Sequence, residues 1–275
     1  MTRAITKLTP YDVIAALGLP EGAAVNQRIP KKLLAENGAA TAADRRLIQD
    51  HIEEATWVAA LKPVNAGIAV YQDDQRSYLE LAVVSVALRG LDTQDTRLQK
   101  TKRIAELMHR AIPYPIVLLL EDGQAILLSL AHIRRAQREA ERTVLDGDLI
   151  TTTLSTASAC NGTASDASQD ILAMLLASLA LNKQPRDHLY ALYQGWIDTL
   201  WAWQAAEVSN RFEISQSPEQ AAERRAALRR CRELDAQIAN LRNKARKEKQ
   251  MARQVAANIE IKALLAERQQ IVSHI

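Results

Sequence analysis

Pro115-Ile116-Val117-Leu118-Leu119-Leu120, then Glu121-Asp122-Gly123-Gln124, then Ala125-Ile126-Leu127-Leu128-Ser129-Leu130 is the stretch on which the fold turns. Two apolar runs flank a loop whose Asp-Gly pair suits a tight hairpin, because glycine enters the left-handed backbone region at no steric cost. Ile116 to Leu120 is apolar without alternation. That is the pattern of a strand covered on both faces, and it belongs at the centre of a sheet. Working outward, Trp57–Leu61, Gly67–Tyr71 and Tyr78–Leu88 read as three earlier strands. Each is rich in Val, Ile, Leu and aromatics and is bounded by turns such as Pro63-Val64-Asn65 and Gln72-Asp73-Asp74-Gln75. Residues 92–112 carry Leu98, Ile104, Ala105, Leu107, Met108 and Ala111 mostly three or four apart, which predicts an amphipathic helix. The expected fold class is α/β (α+β), a mixed sheet flanked by helices.

Upstream, Thr9-Pro10 opens a short helix that Gly18 stops. Pro30 opens a second that Asn37-Gly38 ends, and Thr41 to Asp44 cap a third running to about Ala55, with Leu47, Ile48, Ile52 and Ala55 on one face. Downstream, His132–Val144 reads as a charged helix and Leu149–Leu154 as a β-prone segment. Residues 155–168 contain no large apolar side chain and read as a linker. Two helices follow, 170–181 and one from Pro185 to about Val208. The second holds Trp196, Trp201 and Trp203, read as a buried helix–helix seam ahead of a base-stacking platform. The expected division is an α/β domain over 1–154, a linker over 155–168, a helical hairpin over 169–216 and a basic coiled-coil helix over 217–275.

In that last segment Ala227, Cys231, Leu234, Ile238, Leu241 and Ala245 alternate spacings of four and three, and Ala252, Val255 and Ile259 resume the stripe beyond Glu248. It then shifts to Ile261, Leu264, Leu265 and Val272, a stutter or a change of partner. One long helix is expected, its stripe buried against the chain's own helices, a second copy or another protein. Leu234, Ile238, Leu241, Val255 and Ile259 are the expected partner-binding positions. The whole chain has a formal net charge of +3, yet residues 218–275 hold 13 Lys/Arg against 7 Asp/Glu. The excess therefore sits on this segment. Arg225, Arg229, Arg232, Lys244, Lys247, Lys249 and Arg253 are the candidate contacts to a nucleic-acid backbone.

A chain of 275 residues accommodates one sizeable core and a second element. It carries no Walker-type loop, GxGxxG, HExxH or GxSxG, and nine glycines leave little room for a phosphate cradle. The five histidines are scattered singly. Cys160 and Cys231 lie far apart without a CxxC pair, which argues against structural zinc and for reduced thiols in a cytoplasmic protein. The first residues lack an apolar signal region, and no run is long and apolar enough to span a bilayer. The order helix, three strands, helix, two strands resembles the core of PD-(D/E)xK nucleases, whose paired acids bind Mg²⁺ beside a lysine. Asp73 and Asp74 end the second expected strand and Glu80 lies on the third, but Ala82 stands where that family has lysine. Lys31 or Lys32 would have to reach in, and the resemblance is to a degenerate restriction-endonuclease-like core, with the Asp pair serving the turn.

Ile29-Pro30-Lys31-Lys32-Leu33, Trp57, Tyr78-Leu79-Glu80-Leu81, Ile112-Pro113-Tyr114-Pro115 and Lys247-Glu248-Lys249-Gln250 together resemble the bacterial family catalogued as domain of unknown function 4391. The resemblance runs over nearly the whole chain. It implies an accessory role, since such proteins are encoded beside helicases and DNA methyltransferases in restriction-like, phage-defence gene clusters; it carries over no catalytic residues and no cofactor. The expectation is a non-enzymatic adaptor that joins a helicase or methyltransferase through residues 234–259, with its Arg/Lys face toward DNA. A divergent Mg²⁺-dependent nuclease using Asp73, Asp74, Glu80 and Lys31 is the alternative, and a homodimer through the same helix a third.

Overall fold

The computed structural model describes residues 8–91, 94–136, 143–155 and 166–275. Helix α1 (Pro10–Ala16) starts with a capping box: the Asp12 carboxylate accepts the Thr9 N–H at 2.8 Å while Thr9 Oγ1 accepts the Asp12 N–H. Strand β1 (Ala24–Arg28), helices α2 (Lys31–Gly38) and α3 (Ala42–His51), strand β2 (Ile52–Leu61) and a single turn α4 (Pro63–Ala66) follow. Then come β3 (Tyr71–Gln72), β4 (Ser77–Tyr78), β5 (Leu81–Leu88), α5 (Gln94–Ala111), β6 (Ile116–Glu121) and β7 (Ile126–Leu130). Two short strands, β8 (Ile133–Arg135) and β9 (Thr143–Leu145), precede β10 (Ile150–Leu154), α6 (Asp166–Ser178), α7 (Leu189–Ser209), α8 (Pro218–Lys247) and α9 (Met251–Ser273).

Six strands form one mixed sheet in the order β1-β2-β5-β6-β7-β10. Only β5 and β6 run parallel, as the intervening helix α5 requires, so β2 and β7 oppose the other four. The expected central strand is central, with Ile116 to Leu120 all buried. Alternate residues of β5 and β6, Val84, Val86, Leu118 and Leu120, share one face. They form a core with Leu34, Ile48, Ile104, Leu107 and Met108 from α2, α3 and α5. The first half of α7 reaches the sheet through Tyr193, whose hydroxyl donates to the Ile116 carbonyl at 2.7 Å and accepts the Ala131 N–H at 3.0 Å.

Four expectations change. The expected strand at Gly67–Tyr71 is not in the main sheet: Pro63–Ala66 makes a helical turn that Gly67 ends at φ +64, Ala69 makes an isolated parallel bridge to His188, and Tyr71–Gln72 pairs with Ser77–Tyr78. Residues 52–55, expected as helix, open β2, because α3 stops at His51; Glu53 and Glu54 are exposed while Ile52 and Ala55 are buried. The expected charged helix over His132–Val144 gives way to the hairpin β8/β9, which buries Ile133; residues 137–142 lie outside the described residues. The expected linker falls largely outside them as well, with Cys160. The single C-terminal helix is two helices broken at Glu248-Lys249-Gln250, where the backbone is extended at Glu248 (ψ 135) and Gln250 (ψ 117).

Two compact units divide the chain within α7, after Leu200. In the second, α9 returns along α8, joined across by Arg230 to Glu267 at 2.7 Å and by Arg268 to Asp235 at 2.6 Å. Helix α8 buries Leu228, Cys231, Leu234 and Ile238, and α9 buries Ile261. Among the described residues no helix is long and apolar enough to cross a membrane.

Candidate functional site

Register sets the first candidate. Leu61 at the end of β2 faces Leu81 at the start of β5, so Lys62 and Glu80 flank that pair and meet at 3.1 Å. Asn65 fixes the local backbone by accepting the Lys62 N–H and donating to the Gly22 and Ala60 carbonyls. Glu80 is buried, and Lys62 half exposed beside it supplies a positive charge that the sequence alone had not placed. Asp73 does not join them. Its carboxylate accepts the Gln75 and Arg76 backbone N–H groups and the Tyr71 hydroxyl, and those backbone bonds hold it below the usual carboxylate range. Asp73 is thus a turn residue, and its neighbour Asp74 is exposed. Among the described residues no group of three His, Cys, Asp or Glu is arranged to hold a metal ion.

Lys31 sits at the other end of β2, where its ammonium donates to the Ile52 carbonyl. Ile52 and Leu61 are nine strand steps apart, about 30 Å at the usual rise, so Lys31 and Glu80 are not brought together. Burial, with Arg89 and Arg28 nearby, lowers the Lys31 pKa. Beside it, Ile29, Leu33, Trp57, Pro113 and Tyr114 line an apolar cleft of about 180 Å³, with the Trp57 and Tyr114 rings 5.9 Å apart. Three of the quoted motifs, those around Pro30, at Trp57 and around Pro113, therefore converge on one place.

A third site escaped the sequence reading. Tyr71, Tyr78, His132, His188 and Tyr190 form one aromatic cluster, with the Tyr190 ring stacked on Tyr71 at 4.9 Å and on His132 at 4.8 Å. Tyr78 donates its hydroxyl to His132 Nδ1 at 2.5 Å, and His132 Nε2–H donates to Gln194 Oε1 at 2.8 Å. Both ring nitrogens are engaged, which makes His132 a positioning group and leaves neither nitrogen free as a base. Burial raises the Tyr78 phenol well above its ordinary pKa. Arg76 lies 5.5 Å over the Tyr190 ring and bonds Asp146 at 2.7 Å. The only signal for this cluster in the sequence is the recurrence of single Tyr and His residues, which spacing does not connect.

The C-terminal hairpin separates the expected partner positions. Leu234 and Ile238 are buried within it and Leu241 is half-buried, while Val255 and Ile259 are 52% and 64% exposed. The basic positions divide too. Arg232 bonds Gln204 at 2.6 Å and lies over the Trp201 ring, and Arg225 and Arg229 have partners of their own. Lys244, Lys247, Lys249 and Arg253 gather at the turn between α8 and α9 and are exposed.

A family model described as "Domain of unknown function (DUF4391)" matches residues 17–267. The chain belongs to this family. No curated protein and no solved structure matches it. In this DUF4391 member the matched span takes in the Lys62–Glu80 pair, the Trp57 cleft, the aromatic cluster and most of both C-terminal helices.

Proposed function

We propose that this chain is a non-enzymatic accessory protein of a DNA-processing assembly and that it docks a protein partner on the outer side of α9. One observation carries the reading: Met251, Val255 and Ile259, at four-residue spacing on one helix face, are 76%, 52% and 64% exposed, while Ile261 on the other face is buried. An apolar stripe of this spacing is the pattern by which a helix seats against a partner. The gene neighbourhood that the family resemblance implies supplies the class of partner, a helicase or DNA methyltransferase.

The test is copurification of the full chain with its encoded neighbours after nuclease treatment, comparing wild type with Val255→Ser/Ile259→Ser. Both positions are on the surface, so the double variant keeps the hairpin while losing the partner. Leu234→Glu is the poorer probe, since Leu234 is fully buried and its loss would open the hairpin itself. Retention of the partner by the double variant overturns the proposal. So does a shift from dimer to monomer in light scattering, which would give the face to a second copy of the chain.

A second reading, a divergent Mg²⁺-dependent nuclease, keeps one specific support. The strand order, with the second and fifth strands opposed to their neighbours, resembles the restriction-endonuclease-like core. Lys62 brings a cation to Glu80 that Ala82 cannot.

A further inference from the structure

We propose that the turn between α8 and α9 is a contact surface for the backbone of double-stranded nucleic acid, read without regard to sequence. Arg242, Lys244, Arg246, Lys247, Lys249 and Arg253 fall within twelve consecutive positions and are all exposed. The one acid among them, Glu248, turns its Oε1 to the Lys249 and Gln250 backbone N–H groups and lies 3.8 Å from Arg253. At this turn six cations stand against one already engaged carboxylate. It contrasts with the start of α8, where charge is consumed inside the unit. There Arg224 is buried against the Glu213 carbonyl and Ser215, Arg230 pairs with Glu267 and Glu233, and Arg232 is held by Gln204. The lysines of the turn, among the described residues, make no such pairs, so their charge is available to an outside polyanion.

Chemistry narrows the ligand further. Residues 218–275 contain no Phe, Trp or Tyr. Proteins that hold single strands stack bases on aromatic rings, and this segment has none. Lys and Arg alone neutralise phosphates, and phosphate contacts carry no base information. The contact is therefore electrostatic, prefers duplex, and is independent of the outer stripe of α9 proposed for the protein partner.

The experiment is fluorescence anisotropy of the full chain with a labelled duplex DNA of arbitrary sequence over a salt series. Log affinity should fall linearly with log salt, and Lys244→Ala/Lys247→Ala/Lys249→Ala should flatten the slope by about three, roughly one per lost phosphate contact. Alanine favours helix at least as well as lysine, so the hairpin persists, and an unchanged circular dichroism melt checks this. Val255→Ser/Ile259→Ser should leave slope and affinity unchanged, which separates failure here from failure of partner docking. Absence of duplex binding at low salt, a slope unaltered by the triple variant, or tighter binding to phosphatidylserine vesicles than to duplex each overturns the proposal.

Discussion

His109 Nε2 meets Ser129 Oγ at 3.0 Å in the interior, tying α5 to β7 with both residues almost wholly buried. Burial lowers the His109 pKa from 6.5 to about 3. The unfolded chain then binds a proton across that window that the folded chain refuses. Stability should be fully present above pH 6.5 and fall as pH drops toward 3, by up to about 1.4 kcal/mol per pH unit from this group. Urea unfolding of wild type and His109→Gln between pH 5 and 6.5 checks this. The variant should show a flatter dependence there, and equal slopes would show that His109 is not buried as a neutral ring.

Gly38 closes α2 against α5. A Cβ at that position would lie 2.5 Å from the Leu107 carbonyl oxygen and 2.9 Å from Ala111 Cβ. Alanine is the better helix former by about 1 kcal/mol, yet the two helices would have to part to admit it. Gly38→Ala should therefore lower the unfolding free energy by about 1–3 kcal/mol. A raised urea midpoint would contradict so close an approach.

Asp44 receives two guanidinium hydrogen bonds from Arg103, Nε to Oδ1 and Nη2 to Oδ2, both 2.9 Å, which join α3 to α5. The Arg103 hydrogen bonds hold the Asp44 carboxyl below its usual pKa. Its contribution is present above the ordinary carboxylate pKa near 3.8 and is lost as pH falls through the lower folded value. Asp44→Asn should cost about 1–3 kcal/mol at neutral pH. The deficit should shrink in acid, read from thermal melts at pH 7 and pH 3.

Glu80 is buried with Lys62 as its neighbour, so Lys62→Met leaves a carboxylate short of its cation and should destabilise the chain by about 1–3 kcal/mol. Under the accessory reading wild type does not cleave DNA in Mg²⁺. Cleavage by wild type that disappears in Glu80→Ala, with the fold retained by circular dichroism, would replace that reading with the nuclease.

Much of the sheet was legible because burial on both faces leaves an unbroken apolar run. Ile116–Leu120 and Leu81–Val84 announce themselves in that way, and the face of α5 through Ile104 and Met108 does so by its helical spacing. Strand β1 does not, since Ala24–Arg28 is exposed throughout. The break between α8 and α9 was hidden because Glu248-Lys249-Gln250 contains neither Gly nor Pro; its trace is the polar Glu248 at a position of the apolar stripe. Lys62 went unread as the partner of Glu80 because the pairing runs across two strands, where an i+2 pattern cannot see it. The aromatic cluster draws Tyr71 and Tyr190 together over more than a hundred residues, a distance that local periodicity does not bridge.

Among the described residues, strand β1 closes one side of the sheet with its outer backbone groups uncovered by another strand, the situation in which a foreign chain can add itself rung by rung. Its geometry spoils that template. Asn26 sits at φ +50, the register with β2 skips between Ala24 and Gln27, and Arg28 lies beside Glu54 at the end of the strand. A visiting strand would lose the ladder after its first rung and meet a guanidinium at its last. Fibrillar stacking is discouraged along this border, and self-recognition or partner recognition is left to surfaces made of helix.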